Sequence, residues 1–240
     1  MNLDAGAAGQ PRVGVVIVMF NAVAHWPRLR AALAAQRFKA FEVVVVDNAS
    51  GPEARLSEAD MPEGFRLVQL PENIGYAAAN NRAVSLLETD FVAFLNPDAF
   101  PEPEWLDKLV AAAARHPEAA AFGSTMLRDG EIGYFDGVGD SYWAGGAPYR
   151  GGQGRHRHFL HAEGEVFSVS AVAALFRRRT FQDLNGFDDR FFAVLVDVDL
   201  GFRLRLAGGK AVQVPDAVVP RRLRPEDPGR PVDARVLPRP

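Results

Sequence analysis

The strongest constraint on the fold of this 240-residue chain is an alternation between short apolar runs and segments with helical periodicity. Apolar runs of strand length occupy residues 13–19, 43–46, 66–69 and 91–95. Between the first two runs, Trp26, Leu29 and Leu33 repeat at helical spacing. Since strand–helix–strand order implies parallel pairing, the pattern predicts an α/β fold, a single domain with a mostly parallel central sheet flanked by helices.

Three of these runs end in small polar clusters. The first stops at Asn21, the second at Asp47 and Asn48, and the fourth at Asn96, followed by Pro97 and Asp98. The carboxyl ends of parallel strands meet at one edge of an open α/β sheet, and ligands bind at that edge. We therefore expect the polar side chains of the three clusters to line one crevice.

The composition argues against several functional classes. The formal net charge is only −3, so no global basic field favours nucleic acid as a partner. The chain contains no cysteine, which excludes disulfides, thiolate zinc sites and cysteine nucleophiles. Residues 1–10 lack the basic and apolar regions of a signal peptide, and no run of about 18 apolar residues occurs. We expect a cytoplasmic protein that does not span a membrane.

The chain is predicted to divide into a leader, one domain and a tail. Residues 1–12 are small and polar and are expected to be flexible. The domain should cover residues 13–219, and the Pro/Arg-rich residues 220–240 are expected to be disordered. Within the domain, residues 136–154 combine glycines with aromatic side chains, which is typical of a long mobile binding loop; plain disorder is the alternative. The last helix is predicted over residues 197–207.

Two of the polar segments favour a nucleotide as ligand. Asp47 closes a buried strand, where its carboxylate can accept hydrogen bonds from the N–H groups of a base. An Asx turn that ends the strand is the alternative. Asn73 and Gly75 open a predicted helix, whose free backbone N–H groups favour an anion such as phosphate. A plain helix cap explains the same two residues.

Three aspartates are candidates for metal binding or catalysis. Asp98 could coordinate a hard divalent cation that bridges a diphosphate, with a simple Asn-Pro-Asp turn as the alternative. Asp197 and Asp199 lie at the start of the last helix, where a carboxylate can act as a general base. Helix capping and interaction with the helix dipole are the alternatives. The histidines at positions 156, 158 and 161 have no metal-ligand spacing, and we interpret them as solvated loop residues.

In this order, the motifs resemble those of the family 2 glycosyltransferases of the GT-A fold, and especially the bacterial rhamnosyltransferase-like branch. The resemblance covers residues 13–217. The segments that carry it are residues 18–21, 46–50, 72–81, 95–98, 186–192 and 197–200, together with Arg203. Each motif is short, but the ordered set is specific.

The resemblance implies an inverting enzyme that moves a sugar from a dTDP-, UDP- or GDP-sugar donor to a hydroxyl of a saccharide or lipid-linked acceptor. Surface polysaccharide synthesis is the process implied for this branch. Donor binding would fall in residues 13–100, with acceptor binding and catalysis in residues 101–219. The residues implied to hold the base and ribose, or to lie near them, are Asn21, Asp47, Asn48, Asn73 and Gly75.

The same resemblance assigns the catalytic end of the site. Asn96 and Asp98 occupy the Asp-x-Asp position, where Asp98 would bind Mg²⁺ or Mn²⁺ and the metal would polarise the leaving diphosphate. Asp197 matches the base that deprotonates the acceptor hydroxyl, with Asp199 as the second choice. The glycine- and aromatic-rich loop would lie over the acceptor. The side chains in that loop that could stack on a sugar face are Tyr142, Trp143 and Tyr149.

Two departures from the family pattern leave an alternative function open. Val196 stands where the family usually has a second acid. Arg221 and Arg222 follow Pro220, where one or two histidines near the metal or diphosphate are expected, although arginine can still clamp phosphate electrostatically. A catalytically impaired nucleotide-sugar-binding homologue is therefore the alternative. The arginines of the tail also suggest peripheral contact with an anionic membrane face.

Two other enzyme classes on similar sheets have less support. A nucleotidyltransferase would be expected to carry a glycine-rich loop with basic residues after the first strand, and none is present. A Rossmann dehydrogenase is disfavoured because the turn after Met19 contains no glycine.

Overall fold

The computed structural model describes residues 12–131, 133–143, 145–159 and 162–223, which contain eleven β-strands and five α-helices. The strands are β1 (Val13–Met19), β2 (Phe41–Asp47), β3 (Phe65–Gln69), β4 (Phe91–Leu95), β5 (Ala119–Arg128), β6 (Phe135–Gly137), β7 (Asp140–Trp143), β8 (Ala147–Arg150), β9 (Gly164–Val166), β10 (Ala173–Arg177) and β11 (Lys210–Arg221). The helices are α1 (Trp26–Ala34), α2 (Gly75–Val84), α3 (Trp105–Arg115), α4 (Arg178–Asp183) and α5 (Val196–Leu206).

A nine-stranded sheet forms the centre of the described structure. Its path is β3-β2-β1-β4-β10-β5-β11-β9, and β6 pairs with β5 beside this path. The pairs among β1, β2, β3 and β4 are parallel, as is the pair of β5 and β11, whereas β10 runs antiparallel to β4 and β5. The predicted α/β fold with a mostly parallel sheet is therefore confirmed, with one antiparallel strand inserted near its centre.

Burial on both faces explains why β1 is apolar throughout. Every residue of this strand is buried. Val15 and Ile17 belong to a core shared with residues of α1 and α3, whereas Val16 and Val18 belong to a second core with residues of α2, α4 and α5. A parallel strand covered on both faces reads as a continuous apolar run. For this reason the strands that lead to the site can be recognised from sequence.

The expectation of one long mobile loop over residues 136–154 is corrected by the structure. β6 pairs with β5, and β7 and β8 form an antiparallel hairpin in which Tyr142 is paired with Pro148. The Tyr142 ring stacks on Phe167, with ring centroids 4.9 Å apart, and meets Phe202 edge-on at 5.5 Å. These ring contacts attach the hairpin to the rest of the domain, and they join segments that are distant in sequence.

The last strand is longer than predicted. β11 continues past a bulge to Arg221, so the predicted domain end at residue 219 lies inside a strand. The predicted leader up to residue 11 and the predicted tail from residue 224 lie outside the described residues. In the part of the chain that the structure describes, no helix is both long and apolar enough to cross a membrane.

Candidate functional site

A cleft of about 520 Å³ opens at the carboxyl ends of β1, β2 and β4. Its wall is completed by the loop before α5, the start of α5, and the ends of β8 and β11. The predicted site residues on this wall are Asn48, Asn73, Asn96, Asp98 and Asp197. The fold thus brings residues from the predicted donor half and the predicted catalytic half to one cavity.

Asn48 and Asn73 tie the end of β2 to the start of α2. The Asn48 side chain accepts a hydrogen bond from Ile74 N at 3.0 Å and donates one to Asn73 Oδ1 at 2.8 Å. Asn73 Oδ1 also accepts a hydrogen bond from Gly75 N at 2.9 Å. The N–H groups of Ile74 and Gly75 are therefore engaged inside the protein, which corrects the expectation that they are free to bind an anion.

Asn21 and Asp47 lie beside the cleft and shape the loop after β2. Asn21 has a left-handed backbone (φ 51°), and its Oδ1 accepts a hydrogen bond from Gly51 N at 2.9 Å. Asp47 is buried, and its two oxygens accept hydrogen bonds from Ser50 N at 2.8 Å and Leu56 N at 3.4 Å. These hydrogen bonds hold the loop that begins at Asn48, and those of Asp47 are of the Asx type.

Asn96 and Asp98 line the cleft just after β4. Asn96 Oδ1 is buried and receives no hydrogen bond from the described residues. The Asp98 side chain is buried as well, at 2% exposure, with Oδ2 3.6 Å from Arg221 Nη2. Carboxylate and amide oxygens are ligands that Mg²⁺ accepts while keeping phosphate and water in its other positions. The two residues therefore fit a cation shared with a phosphate; the described residues contain no group of three His, Cys, Asp or Glu that could hold a metal.

Asp197 lies in the first turn of α5 and faces the cleft. Its Oδ2 accepts a hydrogen bond from Ala171 N at 3.0 Å, and its Oδ1 accepts one from Val198 N at 3.0 Å. Asp199, the second choice for the base, instead forms an ion pair with Arg203, in which Asp199 Oδ2 lies 2.6 Å from Nη2. Of the two aspartates, only Asp197 is on the cleft wall.

A charged network beside Asp98 was not predicted from the sequence. Arg221, at the end of β11, places Nη1 3.2 Å from Asp136 Oδ2 and Nη2 3.6 Å from Asp98 Oδ2. Arg150, at the end of β8, places Nη1 3.5 Å from the same Asp136 oxygen and Nε 3.7 Å from Asp140 Oδ1. The sequence did point to Arg221, because this residue stands where histidines are expected. The sequence did not point to Arg150 or Asp136, because Arg150 is brought to Asp136 by the β7–β8 hairpin, which was not predicted.

Burial and negative charge act together on Asp140. Desolvation by burial is the larger cause, the charge of Asp197 adds to it, and together they raise the pKa of Asp140 to about 6. Arg150 and a hydrogen bond donated by Ser168 Oγ at 3.3 Å act in the opposite direction. Asp140 and Asp197 are thus close enough to sense each other's charge, which links the hairpin to the start of α5.

A strained apolar segment forms the wall between α2 and α5. Phe192 has φ 57° and ψ −65°, and the Ala193 N–H donates to Phe191 O at 2.6 Å across this tight turn. Leu195, just before α5, is also left-handed, at φ 64°. Positive φ is unusual for bulky residues, and such strain is concentrated at functional sites. Gly75 permits the close approach, since a Cβ there would lie 2.6 Å from Phe192 Cδ2.

The three aromatic residues predicted to contact the acceptor all lie on the β7–β8 hairpin, outside the cleft wall. Tyr142 is used in packing against Phe167. Trp143 and Tyr149 remain exposed, at 65% and 61%. The structure therefore leaves these two side chains available to a ligand that extends beyond the cleft.

In sequence, the chain is similar to known glycosyltransferases. The family model Glycosyl transferase family 2 matches residues 14–184. The N-acetylglucosaminyl-diphospho-decaprenol L-rhamnosyltransferase of Mycobacterium tuberculosis is 30% identical over 230 residues, which cover 85% of this chain and 74% of that protein. The O-antigen biosynthesis protein RfbC of Myxococcus xanthus is 32% identical over 213 residues, which cover 85% of this chain and 17% of that protein.

Solved structures share the same architecture. GalNAc-T7, crystallised with UDP, GalNAc and Mn²⁺, aligns with a TM-score of 0.75 at 15% sequence identity. The alignment covers 92% of this chain and 45% of GalNAc-T7, so the chain spans less than half the length of that neighbour. At this identity the likeness concerns the fold alone, and it confirms the GT-A architecture predicted from the sequence.

Proposed function

Because the chain belongs to glycosyl transferase family 2, we propose that it moves a sugar from a nucleotide-diphosphate donor to a hydroxyl of a saccharide or lipid-linked acceptor. The donor would be a dTDP-, UDP- or GDP-sugar. The name of the M. tuberculosis relative gives L-rhamnose and a lipid diphosphate sugar as its reactants, and that of the M. xanthus relative gives O-antigen biosynthesis. On the basis of these names, we propose that this chain carries out a rhamnosyl-type transfer in surface polysaccharide synthesis.

The observation that carries the proposal is the shared cleft. Asn96 and Asp98 at the end of β4 and Asp197 at the start of α5 line the same cavity. A transfer that inverts the anomeric configuration requires the leaving diphosphate and the base to lie on opposite sides of the reacting sugar carbon. The oxygens of Asn96 and Asp98, which could share a cation with a diphosphate, and the oriented carboxylate of Asp197 in the same cavity support this arrangement.

On the donor side, Asn48 and Asn73 would contact the nucleotide, and Asn21 and Asp47 would hold the loop that carries Asn48. Asn96 and Asp98 would hold Mg²⁺ or Mn²⁺, which when bound supplies positive charge to the leaving diphosphate. The buried Asn96 Oδ1 without a protein partner supports such a site. The Mn²⁺ in the GalNAc-T7 structure supports it by analogy of fold.

On the acceptor side, Asp197 would act as the general base. Hydrogen bonds from Ala171 N and Val198 N fix the orientation of its carboxylate. It accepts the proton of the acceptor hydroxyl while that oxygen bonds to the anomeric carbon and the bond from this carbon to the diphosphate oxygen breaks. Attack from the face opposite the diphosphate inverts the configuration. Trp143 and Tyr149 on the hairpin would contact more distant parts of the acceptor.

The second candidate function is an impaired homologue that binds the nucleotide sugar without transferring it. The observation in its favour is Val196, which lies on the cleft wall, where it cannot share the work of Asp197 as an acid could. In this case the donor cleft would be retained and turnover lost. The two candidates therefore differ in turnover and agree in nucleotide binding.

Replacing the base separates the two functions. We predict that Asp197→Asn lowers turnover by about 10²–10⁴-fold while nucleotide binding is retained, because only proton removal is affected. The measurement is release of nucleoside diphosphate from a panel of donors, with Mg²⁺ or Mn²⁺ and a lipid-linked or saccharide acceptor. The exposed carboxylate of Asp183 provides a matched control, Asp183→Asn, which should leave turnover unchanged. Nucleotide binding by a wild-type protein with no turnover on any donor would favour the impaired homologue.

A further inference from the structure

We propose that Arg150 and Arg221 form a binding pair for a diphosphate group, and this inference deepens the proposed function. The two arginines come from different elements, the end of β8 and the end of β11. Their guanidinium groups nevertheless meet at a single oxygen, Asp136 Oδ2, at 3.5 Å and 3.2 Å. Both side chains line the cleft that contains Asp98 and Asp197.

The pair adds little to the stability of the fold, which points to a role in binding a ligand. Asp136 is only 2% exposed, and the side chain of Arg221 is also largely buried. Removing such charges from water offsets most of what their attraction contributes, so a buried ion pair gives little net stability. The local backbone also accommodates Arg150: Gly137 has no side chain, and a Cβ there would collide with the Arg150 methylene chain.

The chemistry of the pair fits phosphate oxygens. Guanidinium groups present planar N–H forks that match phosphate and bind it through charge-assisted hydrogen bonds. Two forks held by one carboxylate are pre-organised, so less side-chain freedom is lost when a diphosphate binds. Arg150 also donates to Ser170 Oγ at 3.2 Å, which restricts its side chain further.

Charge balance predicts that the pair acts together with a divalent cation. Asp98, Asp136 and Asp140 face the two arginines, so the cluster has one more carboxylate than it has guanidinium groups. A diphosphate brings further negative charge. A cation at Asn96 and Asp98 would offset this excess, and we expect diphosphate affinity to rise when Mg²⁺ or Mn²⁺ is present.

Calorimetric binding to the full chain tests the pair directly. The probes are inorganic pyrophosphate, the nucleoside diphosphates UDP, GDP and dTDP, and farnesyl diphosphate, each with and without Mg²⁺. The matching nucleosides and farnesol are the phosphate-free probes.

We expect Arg150→Met and Arg221→Met each to weaken diphosphate binding at least about tenfold, because each loses one charge-assisted contact. Binding of the phosphate-free probes should not change. A loss confined to nucleotides assigns the pair to the donor, and one confined to farnesyl diphosphate assigns it to a lipid-linked acceptor.

The control is Arg222→Met, since Arg222 is the exposed neighbour of Arg221 and does not line the cleft. Arg221→Lys keeps the charge and removes the guanidinium fork, so it should bind diphosphate more weakly even if Arg221→Met fails to fold.

Equal diphosphate affinity in folded wild-type, Arg150→Met and Arg221→Lys proteins would overturn the inference and leave the proposed function standing. Pyrophosphate binding that depends on the arginines, in a protein that binds no nucleotide, would support the pair and contradict the proposed function. A wild-type protein that binds none of the diphosphate probes would overturn both.

Discussion

Asp140 makes the stability of the domain depend on pH. Its pKa rises from 3.8 to about 6, mainly through burial and also through the charge of Asp197. Between these two values the folded state binds more protons than the unfolded state, so stability falls as pH rises through this window. The shift corresponds to at most about 3 kcal/mol. We predict that Asp140→Asn and the wild type have similar melting temperatures at pH 4, and that the variant melts several degrees higher at pH 7.

Thermal melting across pH 4 to 8 checks this prediction. The control, Asp183→Asn, changes an exposed carboxylate and should keep the wild-type profile. Parallel profiles for the wild type and Asp140→Asn would show that Asp140 does not carry the expected pH dependence.

We predict that the part of the cleft wall formed by Phe192 requires a glycine at position 75. It has φ 86°, and a Cβ there would lie 2.6 Å from Phe192 Cδ2 and 2.9 Å from Phe192 O. Gly64 provides a matched control, because it has a similar φ of 80° and nothing within 4 Å of the added Cβ. In Gly64→Ala only the left-handed backbone is penalised, which costs about 1–2 kcal/mol. We expect Gly75→Ala to lower the free energy of unfolding by about 1–3 kcal/mol more, measured by denaturant unfolding, and equal losses in the two variants would contradict the contact.

At the scale of elements, sequence reasoning was effective where strands are buried on both faces. β1, β2 and β4 appear as continuous apolar runs. The polar residues after β2 and β4 place Asn48, Asn96 and Asp98 on the cleft wall, whereas Asn21 after β1 lies beside it. The start of α5 likewise places Asp197 on the cleft wall. These parts of the site follow from local patterns, because Asn48, Asn96 and Asp98 come directly after buried strands and Asp197 lies in the first turn of a helix.

The other half of the site depends on pairings that no local pattern reveals. β10 enters the sheet antiparallel between β4 and β5, and β11 continues past a bulge to place Arg221 at the cleft. The β7–β8 hairpin lies in a glycine-rich stretch that resembles a loop in composition, yet it positions Arg150. The prediction of free N–H groups at the start of α2 is also wrong, since the N–H groups of Ile74 and Gly75 are bonded to the side chains of Asn48 and Asn73.

At the scale of the whole molecule, the cleft is assembled from elements far apart in sequence. Its wall includes Asn48 after β2, Asp98 after β4, Arg150 on β8, Asp197 on α5 and Arg221 on β11. Such a wall exists only when the sheet is complete, so a ligand bound there should stabilise the entire domain. A ligand at 100 times its dissociation constant adds about 2.7 kcal/mol, which raises the melting temperature of a domain of this size by about 5–10 °C.

The central claim, that this cleft binds a nucleotide-diphosphate sugar, is tested most directly by thermal shift. The panel contains UDP, GDP, dTDP and their sugars, each with Mg²⁺, Mn²⁺ or a chelator, on the wild type and on Asp98→Asn. We predict that one nucleotide raises the melting temperature by several degrees in the presence of a divalent cation, and that the shift shrinks in Asp98→Asn. A wild-type protein that melts cooperatively, yet shows no shift with any of these ligands at millimolar concentration and either cation, would contradict the claim.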